Sequence, residues 1–166
     1  NYKFTKYSGG DFTVGSPSHP EAFDNELPPN QIKVESFALA EHPVSNADWL
    51  AFINDHGYQD KRWWSQAGWQ WCKSNNIHQP ENWHTDTNKK FYEIVLNGAK
   101  ELESGAAVSG VNYFEANAFI NWLKENSNEL ATARLPHEYE WEVADQSGTL
   151  SNTGQVWEWC ENNFHP

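Results

Sequence analysis

The sequence predicts an α+β domain of irregular, loop-rich build, and three observations lead there. Two amphipathic segments begin near Ser45, with a helix start signal, and near Tyr113, with an apolar stripe, while short runs at Phe12–Val14 and Ile32–Ala40 alternate as strands do. The apolar content is carried by rings: ten Trp, nine Phe and six Tyr in a chain only 38% hydrophobic, with a mean hydropathy of -0.82. Buried indole N–H and phenol O–H groups need partners, so an aromatic core implies polar, loop-rich surroundings rather than regular layers. At 166 residues the chain suits one domain, 1–166, able to bury such a core.

The elements follow in order. After the Phe12–Val14 strand, residues 15–30 read as a Pro/Ser/Asn loop with Pro28-Pro29 as a stiff spacer, and Ile32–Ala40 as one strand. Ser45 caps the first helix, with Asp48 completing a capping box; Trp49, Phe52 and Ile53 form its apolar face and Gly57 ends it. Residues 63–83 hold five Trp, with a helix expected around Gln66–Lys73. A second clear helix spans Tyr113–Glu125, where Phe114, Ala118 and Trp122 recur at four-residue spacing and Phe119 and Leu123 widen the stripe. Ser127–Ala133 reads as a solvent loop. A short helix is expected over Pro136–Ala144, because Pro suits a first turn and Glu138, Glu140 and Glu142 lie toward the positive end of the dipole. There Leu135, Tyr139 and Val143 share a face, and Trp141 needs a separate pocket.

Charge narrows the function classes. With 23 acidic against 11 basic side chains, and no basic cluster longer than Lys61-Arg62 or Lys89-Lys90, a phosphate backbone would be repelled, so no nucleic-acid partner is expected. No stretch approaches the roughly 20 apolar residues of a membrane span, no signal-peptide pattern is read, and the chain is expected to be soluble and cytoplasmic. Cys72 and Cys160 read as free thiols of a reducing compartment. None of the seven His residues stands at a spacing that places two ligands on one helical face, so no metal set is expected from them.

Two Trp-rich blocks carry the most specific information: Arg134-Leu-Pro-His-Glu-Tyr-Glu-Trp-Glu-Val-Ala144 and Gly154-Gln-Val-Trp-Glu-Trp159. In the second, if extended, Val156 lies opposite the segment's other face, so that one Trp is expected buried while its neighbour lines a surface. Glu158 stands between the two indoles. Three further segments accompany them in order: Gly9-Gly-Asp-Phe-Thr-Val-Gly15, Ser36-Phe-Ala-Leu-Ala-Glu-His-Pro-Val-Ser-Asn46 and Val108-Ser-Gly-Val-Asn-Tyr-Phe-Glu-Ala-Asn-Ala118.

These five segments resemble the RLPTEAEWE, GNVWEW, GGxFxMG, FxIxxxPVTN and PVxxVSWxEAxA motifs of the formylglycine-generating-enzyme (sulfatase-modifying factor) superfamily. Gly57-Tyr58, Trp63-Trp64-Ser65, Gly68-Trp-Gln-Trp71, Pro80-Glu-Asn-Trp83 and Trp159-Cys-Glu-Asn-Asn-Phe-His-Pro166 further resemble the carboxy-terminal domain of ergothioneine-type non-haem-iron sulfoxide synthases. The resemblance implies a C-type-lectin-like fold: two main helices with irregular mixed sheet and long ordered loops. It also implies that the fold's carboxy-terminal third, with its RGGS and FR-type segments, lies beyond Pro166.

The resemblance implies a chemistry as well: an iron- and oxygen-using enzyme joining a cysteine-type thiol to the imidazole carbon of a histidine betaine as a sulfoxide. The iron(II) would belong to an amino-terminal domain with a His motif that this chain lacks, and these residues would form a wall of the substrate pocket. Trp157, Glu158, Trp159, Asn162 and Phe164 are the residues expected nearest the substrates. Glu158 is also a weak candidate for a structural calcium, although Thr153 replaces the Asn that the family places before the Gly. Cys160 stands where the family carries Thr or Ser and is expected to have no catalytic role. The Trp63–Trp83 run could cage a trimethylammonium group by cation–π attraction, with core packing claiming most of these rings. Two alternatives remain: a copper-dependent oxidase making formylglycine from a sulfatase cysteine, and a non-enzymatic C-type-lectin-like binding module.

Overall fold

The computed structural model describes residues 2–16 and 26–163. They fall into two compact units, one of Asn1–His42, Pro136–Gly154 and Cys160–Pro166, the other of Pro43–Leu135 and Gln155–Trp159. Residues 17–25 of the expected Pro/Ser/Asn loop lie outside the described residues.

In the first unit, β1 (Phe4–Tyr7) pairs antiparallel with β4 (Phe37–Ala40), and β2 (Gly10–Val14) with β3 (Asn30–Val34). The expected single strand over Ile32–Ala40 is therefore two. The break has a steric cause at Gly9, where a Cβ would lie 2.9 Å from both the Val34 carbonyl oxygen and the Ser36 nitrogen. Only glycine allows that approach, and the two ribbons separate there. Tyr7 stacks on Phe37 across the first ribbon, with ring centroids 4.7 Å apart.

Helix α4 spans Glu138–Gln146 rather than starting at Pro136. His137 is the cap: its Nδ1 accepts the Tyr139 N–H at 3.2 Å, and the Glu140 carboxylate accepts the His137 N–H at 2.8 Å. The Leu135–Tyr139–Val143 stripe is not the buried face, since Tyr139 is exposed while Glu140, Val143 and Ala144 are buried. The helix is tied to β2 by polar contacts: the Gly15 N–H donates to Glu142 Oε1 at 2.6 Å and Gln146 Nε2 donates to the Thr13 carbonyl at 3.2 Å.

The second unit holds the aromatic core. Helix α1 (Asn46–Asn54) has the expected capping box, with the Asp48 N–H donating to Ser45 Oγ and the Ser45 N–H donating to Asp48 Oδ2, each at 3.2 Å. Helix α2 (Gln66–Ser74) is capped by Ser65, and α3 (Tyr113–Asn126) by Asn112 with Glu115. The stretch after α3 includes a 3-10 turn at Asn128–Leu130. A three-stranded antiparallel meander of β5 (Trp83–Thr85), β6 (Phe91–Val95) and β7 (Gly98–Glu101) lies between α2 and α3 in the chain.

Trp49, Phe52, Tyr58, Trp63, Trp64, Cys72, Trp83 and Phe119 are buried together. Trp49 stacks on Phe119 at 4.9 Å, and Phe52 meets Phe119 edge-on at 5.7 Å. Some indole donors find the partners that burial demands: Trp64 Nε1 donates to the Gly57 carbonyl at 2.8 Å and Trp122 Nε1 to Asp55 Oδ2 at 2.7 Å, whereas Trp63 Nε1 and Trp83 Nε1 are buried without one among the described residues. Core packing thus claims Trp63, Trp64 and Trp83 of the expected cage. The described residues contain four α-helices and small antiparallel sheets, an α+β fold. None of these helices is long and apolar enough to cross a membrane.

Candidate functional site

Three segments of the second unit line a half-open hollow of about 660 Å³. One side comes from the end of α2 and the turn after it, through Trp71, Ile77 and His78. A second comes from Pro80, Glu81, Trp83 and His84, leading into β5. The third is the approach to α3, Gly110–Asn112, with Glu115 behind it.

Local chemistry fixes each side. After α2, the Ile77 N–H donates to the Cys72 carbonyl at 2.9 Å and the Cys72 thiol returns to the Ile77 carbonyl at 3.4 Å, which folds the turn back on the helix. The second and third sides are clipped together, because the Glu81 N–H donates to the Gly110 carbonyl at 2.8 Å and Asn82 Nδ2 to Ser109 Oγ at 2.9 Å. Gly110 has φ +73°, and a Cβ on it would stand 2.2 Å from Asn82 Oδ1. Glycine is required there twice over, by conformation and by space.

Glu115 is the buried acid of the site, 3% exposed. Its Oε1 accepts the Tyr58 hydroxyl at 2.7 Å and its Oε2 the Asn112 N–H at 2.9 Å, and Tyr58 in turn accepts the Trp49 indole N–H at 3.2 Å. Burial pushes the carboxyl above the ordinary glutamate value of 4.5, against the pull of the two hydrogen bonds, and the charge of Glu81 adds to the rise. Burial likewise pushes the Tyr58 phenol well up, with the Glu115 charge beside it.

A stability prediction follows from Glu115. Between the ordinary value and its raised folded value the native state binds more proton than the unfolded chain, so stability falls as pH rises through that window and is recovered as pH falls below it. Glu115→Gln keeps an acceptor for Tyr58 but has no charge to bury. Urea midpoints of the two proteins, compared from pH 4 upward, are expected to shift in favour of the Gln variant as pH rises; a constant difference refutes this.

The expected site residues are placed as follows. Trp157 is 96% exposed and Trp159 45% exposed, so neither indole is buried, contrary to the expectation that one would be. The reason is an anchor of a different kind: Trp159 Nε1 donates to the Val111 carbonyl at 3.0 Å and its ring meets Tyr113 edge-on at 5.8 Å. Trp159 therefore sits against the third side of the cavity, and Trp157, two residues earlier, is presented to solvent. Glu158 is exposed. Asn162 belongs to the first unit, where its Oδ1 accepts the Glu138 N–H at 2.9 Å at the start of α4. Phe164 lies outside the described residues.

Cys72 and Cys160 form no disulfide, and burial pushes the Cys72 thiol up. Among the described residues no three His, Cys, Asp or Glu side chains are grouped as a metal would need. The iron that the resemblance implies would be held outside this chain, and Glu158, the residue named for a structural calcium, is exposed. Glu115 and Glu81 were not among the expected site residues. The signal for Glu115 was present as Asn112-x-x-Glu115, a capping-box spacing that directs the acid back toward the helix start.

Fold and motifs together define a class. The family model of the sulfatase-modifying factor enzyme 1-like domain matches residues 6–153, and the chain belongs to that family. Within it, the chain is 38% identical over 131 residues to the hercynine oxygenase of Mycolicibacterium thermoresistibile, covering 79% of this chain and 27% of that protein. It is 37% identical over 139 residues to the hercynine oxygenase of Mycolicibacterium smegmatis, covering 82% and 29%. The inactive C-alpha-formylglycine-generating enzyme 2 of Mus musculus is 28% identical over 170 residues, covering 95% and 50%. The chain thus spans less than a third of the length of the hercynine oxygenases it matches.

Proposed function

We propose that this chain is a substrate-pocket domain of an iron-dependent, oxygen-using sulfoxide synthase that joins a cysteine-type thiol to a histidine betaine in the cytoplasm. The observation that carries this reading is the similarity to hercynine oxygenases along most of the chain. The overall change is balanced by one O₂: the thiol S–H and an imidazole C–H are lost, a C–S bond forms, one oxygen atom goes to sulfur and the other leaves as water. Iron would be held by a domain outside this chain. Trp157, Glu158 and Trp159, with Asn162 and Phe164 after them, would line the thiol and betaine pocket. The exposed Trp157 on a segment pinned by Trp159 supports that role, since a ring free of core contacts is available to a substrate.

The test uses the full-length protein with iron(II), O₂, a cysteine-type thiol and a histidine betaine, with the sulfoxide detected by mass spectrometry. Trp157→Ala is expected to lower kcat/KM about tenfold, a loss of about 1.4 kcal/mol in transition-state stabilisation, while leaving the unfolding midpoint unchanged. Copper-dependent conversion of a sulfatase-peptide cysteine to formylglycine would replace the reading with the oxidase alternative. Neither product, in protein that still binds a ligand, would leave the binding module.

A further inference from the structure

Two hydrogen bonds of the second unit meet on one peptide group. The Val111 carbonyl accepts the Trp159 indole N–H at 3.0 Å, and the Asn112 N–H, the other half of the same planar group, donates to Glu115 Oε2 at 2.9 Å. In a trans peptide the two point to opposite edges of the plane, so Glu115 grips it from the buried side and Trp159 from the other. Behind Glu115, its Oε1 accepts the Tyr58 hydroxyl at 2.7 Å, and Tyr58 accepts the Trp49 indole N–H at 3.2 Å. Just before the peptide, the Gly110 carbonyl is held by the Glu81 N–H at 2.8 Å. A continuous chain of hydrogen bonds therefore runs from the aromatic core, through Tyr58, Glu115 and the 111–112 peptide, to Trp159 and the segment that carries the solvent-facing Trp157.

We propose that Glu115 is the positioning residue of the Trp157–Trp159 segment, acting through the Val111–Asn112 peptide rather than by touching a substrate. Its carboxylate fixes the rotation of that peptide, and with it the direction in which the Val111 carbonyl faces Trp159. It also polarises the peptide, which makes the carbonyl a better acceptor, since hydrogen bonds in a chain strengthen one another. At 3% exposed, Glu115 has little water competing for its oxygens, whereas Trp159 is 45% exposed and its bond depends on such support. The grip needs an acceptor three residues after the cap, and Asp can supply it: in α1 the Asp48 carboxylate, at the equivalent position, accepts the Ser45 N–H at 3.2 Å. Asp is one methylene shorter than Glu, so at position 115 it keeps the Asn112 bond and gives up the one to Tyr58. A consequence for substrate rests on the proposed function; the chain of hydrogen bonds does not.

The experiment follows the indole N–H signals of the full-length protein, carrying isotope-labelled tryptophan, by NMR; the Trp159 signal is the one missing in Trp159→Phe. Glu115→Met keeps the volume and removes both acceptors. It is expected to move the Trp159 signal upfield and to speed its exchange with solvent about tenfold, the scale of one hydrogen bond. The Trp64 signal, whose partner is the Gly57 carbonyl, is expected to stay in place. Glu115→Asp is expected to keep the Trp159 signal near its parent position even though its urea midpoint falls. Trp122→Phe, which loses the bond to Asp55 from the same helix, is expected to lower the midpoint and leave Trp159 unmoved. In sulfoxide synthesis the Met variant is expected to raise KM about threefold or more, with kcat less affected, and the Asp variant to restore it. An unmoved Trp159 signal in Glu115→Met, a displaced one in Glu115→Asp, or shifts that follow lost stability across all three variants would each overturn the proposal. Absence of sulfoxide from every form, the parent included, would remove the proposed function and leave the role of Glu115 to be decided by the signals alone.

Discussion

Phe52→Ala is expected to destabilise the second unit by about 3–5 kcal/mol, the cost of truncating a fully buried aromatic side chain. Phe52 is wholly inaccessible and its ring is surrounded by others: Trp49, Tyr58 and Trp122 each at 5.6 Å and Phe119 at 5.7 Å. These partners come from α1, from the turn after it and from α3, so no single segment can shift to fill the space. A folded domain typically has only about 5–15 kcal/mol to lose. Urea unfolding followed by Trp fluorescence measures the change directly, and an unaltered midpoint would refute this account of the core. The damage should also reach the cavity, because Phe52 packs on Tyr58 and Tyr58 donates to Glu115. Phe52→Leu keeps most of the apolar area and is expected to lose markedly less.

Helix starts were legible in the sequence because their determinants are local. Ser45 with Asp48, and Tyr113 with its following four-residue stripe, lie within one or two turns of the structure they specify, whereas the Ser65 cap of α2 was not read. The start of α4 was misplaced by two residues because a His acted as the cap, a role that Ser, Thr, Asp and Asn more commonly fill. The meander was not legible. Its β7 strand, Gly-Ala-Lys-Glu, is exposed throughout, so no alternation marks it, and it exists through its register with β6, from Tyr92 opposite Glu101 to Val95 opposite Gly98. Nor was the division of residues 32–40, which depends on the contact of Gly9 with residues 34 and 36 across the ribbon.

The same reasoning separates the site's two parts. Trp157 and Trp159 were singled out by type and spacing, yet the anchor of Trp159 is a carbonyl at Val111, 48 residues away. The cavity joins residues 71–84 to 110–115, and no periodicity reports that meeting. What could be read was chemistry waiting for a place: an Asn-x-x-Glu cap before α3, and indoles in a stretch too Trp-rich to be surface.

Gly57→Ala is expected to cost about 3 kcal/mol, at the upper end of overpacking, although it adds a single methyl group. Gly57 has no positive φ among the left-handed positions, so conformation does not demand glycine there; the neighbouring His56, at φ +62°, takes the left-handed turn. Space is what demands it. A Cβ on residue 57 would stand 2.3, 2.4 and 2.6 Å from three carbons of the Phe52 ring. That ring has four aromatic neighbours and cannot swing away. The backbone cannot retreat either, since the Gly57 N–H donates to the Phe52 carbonyl and its own carbonyl receives the Trp64 indole, both at 2.8 Å. The decisive measurement is a double-mutant cycle with Phe52→Leu. If ring contact is the cause, the smaller side chain makes room, and the two substitutions together should cost at least 0.5 kcal/mol less than the sum of each alone, the scale expected for residues in contact. Additive losses would show that Gly57 is required for another reason.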